Sequence, residues 1–201
     1  MRYKPVAAVL AITCVILTIA AVWLLIENSS AKKAEKAADY YKRLSDEIKA
    51  VAGIKGNIND LHIHADFKVV MDGKQINFMR KDFDEKNALV HLHIGSSETE
   101  NPDHEEDDKV IHVESRGITL GHFFTTLGMK FTSRCFVADE SSHCSNEQDK
   151  LMMFVNGERN NELDNYELKN RDKILIIYGS YTEKELKDQI NSVSDYAKNY
   201  G

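Results

Sequence analysis

The chain has 201 residues, 42% of them hydrophobic and 29% charged, which is typical of a globular protein and argues against a disordered one. Residues 27–201 carry 24 basic and 32 acidic side chains, so this part of the chain has a net charge of −8. That acidic balance argues against a nucleic-acid partner, which requires a basic surface, and it suits the binding of cations.

The first feature in chain order is an uncharged apolar stretch, residues 6–26, with the sequence VAAVLAITCVILTIAAVWLLI. A helix of this length crosses a hydrocarbon core of about 30 Å. We therefore expect a transmembrane helix after a short N-terminal tail, residues 1–5. A cleaved signal peptide is the alternative, although its apolar stretch is usually only about 7–15 residues long.

The orientation of this helix rests on two opposing signals. Two basic side chains precede it and five follow it within residues 27–43, a count that by itself favours a cytoplasmic domain. A short N-terminal tail, however, usually stays inside, and the domain contains a pair of cysteines that suits an oxidising compartment. We expect a single-pass protein of the cell membrane with the bulk of its chain outside the cytoplasm.

Residues 27–56 are predicted to form an amphipathic helical stalk or linker. Apolar residues alternate at spacings of three and four, as in a short heptad stripe. The stripe either packs on the chain's own domain or pairs with a second copy or another membrane protein. Its members are Ala34, Ala37, Tyr41, Leu44, Ile48 and Val51.

Residues 57–180 contain the strand patterns of one domain. A strand over residues 61–70, the turn Asp72-Gly73 and the segment 74–78 predict a hairpin. Residues 119–129 are predicted to form one short helix that Thr119 caps. Further strands are predicted at 87–94, 110–114, 131–137, 151–155 and 172–178, and the last is apolar enough to be central.

Residues 181–201 are predicted to form a C-terminal amphipathic helix. Thr182 and Glu185 have the spacing of a capping box. The apolar stripe either covers the sheet or pairs with the stalk, and consists of Leu186, Ile190, Val193, Ala197 and Tyr200. The predicted fold class is α+β: a mixed sheet with one short packed helix, an N-terminal transmembrane helix and flanking amphipathic helices.

The order hairpin, strands, helix, strands resembles a β-grasp domain. The segment from Phe154 to Gly179, with FVNG followed by a loop and DKILIIYG, is similar to the second half of ubiquitin-like sulfur-carrier domains. The resemblance implies a β-grasp-like sheet. It implies no sulfur-carrier chemistry, because the diglycine tail of those domains has no match at Tyr200-Gly201.

A second resemblance covers more of the domain. The chain resembles membrane-anchored proteins of unassigned activity that share the pattern HxH…HxH…IHVE…TLGxFF. Here the pattern corresponds to His62/His64, His91/His93, Ile111 to Glu114 and Thr119 to Phe124. This resemblance implies a membrane anchor and supplies no mechanism.

Five of the eight histidines lie in three strand-like segments in which polar and apolar residues alternate. Because side chains alternate across a strand, each segment has an apolar face and an opposite face that carries histidine. The residues on the histidine faces are His62, His64, Asp66, His91, His93, His112 and Glu114.

These three faces predict a metal site if the segments are neighbours in one sheet. Adjacent strands lie about 4.8 Å apart, so their imidazoles could converge on one ion. Imidazole and carboxylate ligands suit a transition metal, copper or zinc, better than calcium or magnesium. The alternative is a histidine face that is solvated or hydrogen-bonded to Asp66 and Glu114.

The domain contains two cysteines, Cys135 and Cys144, which flank the polar segment FVADESSH. In an oxidising compartment we expect them to form a structural disulfide across a hairpin. A thiol–disulfide oxidoreductase is disfavoured, because such enzymes usually carry a C-x-x-C motif with a lowered thiol pKa.

Three functions are compatible with these features. The first is a membrane-anchored module that binds copper or zinc for delivery or sensing, or as an accessory to a membrane complex. The second is a metal-dependent enzyme with an open coordination position. The third is an assembly protein that binds a membrane partner without metal. No GxSxG, HExxH or phosphate-binding glycine loop is present, so we assign no catalytic residue and favour a binding module.

Overall fold

A computed structural model describes residues 31–33, 56–84, 87–94 and 108–200. The chain divides into two units, residues 1–48 and 49–201, and the named strands and helices belong to the second. The apolar stretch 6–26 and most of the stalk lie outside the described residues, although residues 31–33 are helical. Within the described ranges, no helix is long and apolar enough to cross a membrane.

The described residues of the second unit form an α+β domain with two sheets. Two α-helices, α1 (Leu120–Thr126) and α2 (Glu183–Asn191), accompany 3-10 turns at Lys81–Phe83, Leu163–Asn165 and Ala197–Asn199. The strands are β1 (Ile63–Met71), β2 (Lys74–Gln75), β3 (Val90–His91), β4 (Val110–Val113), β5 (Lys130–Phe131), β6 (Cys135–Ala138), β7 (Ser141–Cys144), β8 (Lys150–Val155), β9 (Glu158–Asn160) and β10 (Lys173–Gly179).

The larger sheet is mixed, and its order is β3-β4-β1-β10-β8-β9, with β2 paired to β1. Its only parallel pair among the described strands joins β1 to β10, from Asp66 opposite Lys173 to Met71 opposite Tyr178. The apolar strand predicted at 172–178 is therefore confirmed as central. The consequence for the site is that β3, β4 and β1 are consecutive neighbours.

Local signals for turns and helix starts are confirmed. Asp72 and Gly73 join β1 to β2 with positive φ angles of 50° and 75°, as a tight hairpin turn requires. Thr119 caps α1, and Thr182 forms a capping box with Glu185 at the start of α2.

Three predicted elements differ from the structure. The strand predicted at 131–137 is two strands, β5 and β6, because the Thr132 hydroxyl accepts the Cys135 N–H (3.0 Å) and closes a turn between them. The segment 87–94 contributes only the short strand β3. The helix predicted at 181–201 ends at Asn191, and the chain continues into the turn at Ala197–Asn199.

The two faces of the larger sheet are covered differently. Residues of β1 with odd numbers, such as Phe67, point into the main core, which also contains Phe123 and Phe124 of α1. On the opposite face α2 covers a smaller apolar cluster through Leu186 and Ile190. The buried members of that cluster are Val70, Met152, Phe154, Leu175, Ile177 and Val193. His64 of β1 shares this second face, beyond the apolar cluster.

The smaller sheet, β5-β6-β7, holds the cysteine pair. Cys135 lies opposite Cys144 in the β6–β7 register with a Cα–Cα distance of 4.1 Å, and the two form a disulfide. This disulfide was predicted from the sequence. It lies on a different sheet from the strands that carry the histidines.

Candidate metal centre

The strand register arranges three histidines in one row across the larger sheet. His64 of β1 lies opposite His112 of β4, and His112 lies opposite His91 of β3. A one-residue shift in any of the three strands would turn its histidine to the other face of the sheet. The alternation of polar and apolar residues puts these imidazoles on one face of the sheet, and the strand register places them side by side.

Three of the histidines bring their ring nitrogens close together. One nitrogen each from His91, His93 and His112 lies within 4.8 Å of the others. The ring centroids are 4.3 Å apart for His93 and His112, and 5.6 Å apart for His91 and His112. Elsewhere in the described residues, no other group of three or more histidine, cysteine or acidic side chains is this compact.

Burial keeps two of these rings, those of His91 and His112, neutral. Burial, together with repulsion from the nearby His93 ring, lowers the pKa of His91 to about 4. Burial also lowers the pKa of His112 far below its usual value, with added repulsion from His93 and His64. Because a metal ion binds the neutral form of imidazole, His91 and His112 are ready to bind at neutral pH without losing a proton.

A backbone contact orients the ring of His91. Its Nδ1 lies 3.1 Å from the carbonyl oxygen of Asn87. A carbonyl only accepts hydrogen bonds, so Nδ1 carries the proton and Nε2 is left with a lone pair. Metal-binding histidines usually have this arrangement, in which the second nitrogen donates to a carbonyl or carboxylate.

His62 and Glu114 form a pair beside the three histidines. His62 Nδ1 lies 2.8 Å from Glu114 Oε1, and the side chains are 61% and 16% exposed. The two residues continue the β1–β4 register by one position. The Glu114 carboxylate is close enough to oppose the lowering of the His91 pKa, so it is the acidic group of this site.

Asp66, the other acidic candidate, has a different role. It is 1% exposed, and its two carboxylate oxygens accept the N–H groups of Tyr196 (2.9 Å) and Ala197 (2.8 Å). Asp66 shares a face with His64, as the alternation predicted, but its carboxylate holds the turn that follows α2. It does not belong to the compact donor group.

His64 lies next to the donor group and outside it. Its ring is 4.5 Å from that of His112 and 4.7 Å from that of His62. Burial lowers the pKa of His64 to about 4, with His62 adding to the effect. His64 therefore contributes a neutral, packed ring beside the candidate centre.

Two histidines outside the three segments have structural partners. His122 Nδ1 accepts the Thr119 N–H (3.1 Å) and completes a capping box of α1. His143 Nδ1 lies 3.1 Å from Asp72 Oδ2. Neither residue belongs to the compact donor group.

Sequence reasoning missed one aromatic residue of this site. Tyr200 stacks on His64 at a centroid distance of 4.1 Å and an interplanar angle of 20°, and meets the His112 ring edge-on at 5.1 Å. The apolar stripe marked Tyr200 as a residue that packs against something. It did not indicate that the partner was the histidine row.

The three histidines define a group that could hold a metal ion. No protein-family model matches this chain, and no curated protein or solved structure is significantly similar to it.

Proposed function

We propose that this protein binds one transition-metal ion, copper or zinc, through His91, His93 and His112. The observation that carries the proposal is the convergence of three ring nitrogens within 4.8 Å of one another. The lowered pKa of His91 and the contact that orients its Nδ1 support it, because both leave a free lone pair at neutral pH. The acidic net charge of the chain also favours a cationic ligand.

The proposed setting is the outer face of a membrane. The apolar stretch 6–26 is long enough for one transmembrane helix, and the Cys135–Cys144 disulfide suits an oxidising compartment. In this setting the domain would deliver or sense metal, or would serve as an accessory to a membrane complex. Protease added to intact cells should digest a C-terminal tag, whereas a protected tag would place the domain in the cytoplasm.

We further propose that the domain is a β-grasp. The first strand of a hairpin, β1, pairs in parallel with the last strand, β10, and α1 packs on one face of the sheet. Strand β8 then pairs antiparallel with β10 on its other side. This order supports the resemblance to ubiquitin-like domains in fold, and the additional strands β3 and β4 carry His91 and His112.

Metal analysis of the purified full chain tests the proposed binding. After loading with Zn²⁺ or Cu²⁺ and dialysis, we expect one bound ion per chain. The His91→Ala/His93→Ala variant should lose it, and the matched control His143→Ala should retain it, because His143 lies outside the histidine row.

A native chain without stoichiometric metal, or equal metal in both variants, would contradict the proposal. A metal-free chain that co-purifies with a membrane complex would favour the assembly function.

One observation favours an enzyme as a second candidate. The Glu114 carboxylate, paired with His62 at 2.8 Å, lies beside three histidines that leave a coordination position open. A bound metal ion would supply Lewis-acid chemistry there. Glu114 would accept a proton, and His62 would hold the carboxylate in place. Hydrolysis of an activated ester that Glu114→Gln abolishes without loss of metal would support this candidate.

A further inference from the structure

The segment that follows α2 lies on the histidine half of the sheet's second face. Its turn is fixed by Asp66 of β1, which accepts the N–H groups of Tyr196 and Ala197 at 2.9 and 2.8 Å. Ala197 is 1% exposed and packs there. Hydrogen bonds to a carboxylate are roughly twice as strong as neutral ones, so this attachment is firm.

Tyr200 extends from that turn over the histidine row. Its ring stacks on His64 and meets His112 edge-on. These two histidines are 3% and 5% exposed, whereas His91 and His93 are only half-buried. The covering is therefore one-sided: solvent reaches the centre from β3 and is kept away from the β1 side.

Two features distinguish this covering from ordinary core packing. The anchor is a buried carboxylate, which an apolar contact would not require and which costs free energy to desolvate. The covering ring also contacts His112, one of the three candidate ligands. A movement of the turn would therefore expose a ligand directly.

We infer that residues 196–200 form a cover over the metal centre, with Asp66 as its anchor and Tyr200 as the covering ring, and that this cover limits the rate at which metal leaves. The inference rests on the proposed function. The Tyr200 ring acts through packing and makes no bond to the metal. Displacing the turn from Asp66, as a docking partner could do, opens the β1 side of the centre.

Metal transfer to a chelator tests this role. The full chain loaded with Zn²⁺ is mixed with excess EDTA, and zinc release is followed by stopped flow. Asp66→Asn and Tyr200→Ala should release zinc about tenfold faster, because each removes a contact of the closed turn. Tyr200→Phe, which keeps the ring, should release zinc at the native rate. So should Asp195→Asn, which removes an exposed carboxylate of the same segment that pairs with Lys198.

A second measurement examines the anchor without metal. Hydrogen exchange at the amides of Tyr196 and Ala197 should be slow in the native chain and faster in Asp66→Asn, with Asp195→Asn unchanged. Equal exchange in the native chain and Asp66→Asn would overturn the anchor role. Because Tyr200→Ala leaves Asp66 intact, it examines the ring even if Asp66→Asn fails to fold.

The outcomes separate the two proposals. If the native chain binds zinc and all variants release it at the same rate, the cover is refuted and the metal site stands. If Tyr200→Phe loses zinc affinity as Tyr200→Ala does, the phenol is a ligand and the cover is again refuted. If the native chain takes up no zinc, both proposals fail together.

Discussion

His64 on β1 lies directly opposite His112 on β4, and the two rings meet edge to face with their centroids 4.5 Å apart. Only His112 belongs to the compact group of donors, together with His91 and His93. Of these two adjacent imidazoles, that of His112 is therefore a candidate ligand, and that of His64 lies just outside the candidate centre.

This boundary predicts opposite results for two neighbouring substitutions. His112→Ala should abolish stoichiometric zinc binding, because it removes one of three ligands. His64→Ala should keep one zinc per chain and weaken affinity by about 10–100-fold at most, the cost of losing a group that supports a ligand. Isothermal titration of each variant with Zn²⁺ measures the difference. If His64→Ala lost as much zinc binding as His112→Ala, His64 would itself be a ligand, and the metal centre would include β1.

The metal-free domain should become less stable as the pH falls from about 6.5 to 4. Burial lowers the pKa of both His64 and His91 to about 4 in the folded chain, while the unfolded chain keeps a pKa near 6.5. The unfolded state therefore binds more protons across this window, so the free energy of unfolding falls as pH is lowered. Above pH 6.5 both states are neutral and this dependence vanishes.

Urea unfolding at pH 7.0, 5.5 and 4.5 measures this effect. The decline should be smaller in His91→Gln than in the native chain, because the substitution removes one of the three histidines whose pKa is lowered. His143→Gln is the matched control, because His143 lies on the smaller sheet and contacts Asp72 and Tyr178, and this variant should keep the full decline. Stability that is constant between pH 7.0 and 4.5 would contradict the neutral state assigned to these rings.

The disulfide should stabilise the domain without affecting metal. Cys135 and Cys144 close a short loop, with a sequence separation of 9. Cys135→Ser/Cys144→Ser should lower the free energy of unfolding by about 2–3 kcal/mol on the chain-entropy model. Zinc content should not change, because the cysteines and histidines lie on different sheets. Urea unfolding and metal analysis of the same sample test both parts.

Phe124 should be a major contributor to the stability of the main core. It is fully buried and contacts four other phenylalanine rings, those of Phe67, Phe78, Phe131 and Phe136, besides its neighbour Phe123. Phe124→Ala should lower the free energy of unfolding by about 3–5 kcal/mol. Thr125→Ala, at the exposed next position of α1, should change it by only about 0.5 kcal/mol. A much smaller loss in Phe124→Ala would show that Phe124 is not a major contributor to the stability of the core.

Local features of this fold could be predicted from the sequence because neighbouring residues determine them. The turn at Asp72-Gly73 needs only two residues that tolerate positive φ, and the caps at Thr119 and Thr182 act within one helical turn. The alternation in β1 and β4 separated histidines from core residues because a strand has a period of two. These signals need no knowledge of which strands pair.

The identity of the residues that meet at the site depends on contacts between segments that are far apart in the sequence. Asp66 shares a face with His64, but its partners are Tyr196 and Ala197, which lie 130 and 131 residues away in the chain. The stacking of Tyr200 on His64 spans a similar separation. No local pattern encodes such contacts, so the sequence predicted histidines that the structure brings together, but it could not show the backbone partners of Asp66 or the stacking of Tyr200.

The parallel pairing of β1 with β10 has a consequence for assembly in the cell. All the candidate ligands precede Lys173, where β10 begins, so they leave the ribosome before the strand that completes the centre of the sheet. Pairings between distant segments form slowly. The proposed metal site is therefore complete only after translation, once β10 has joined β1 in the finished sheet.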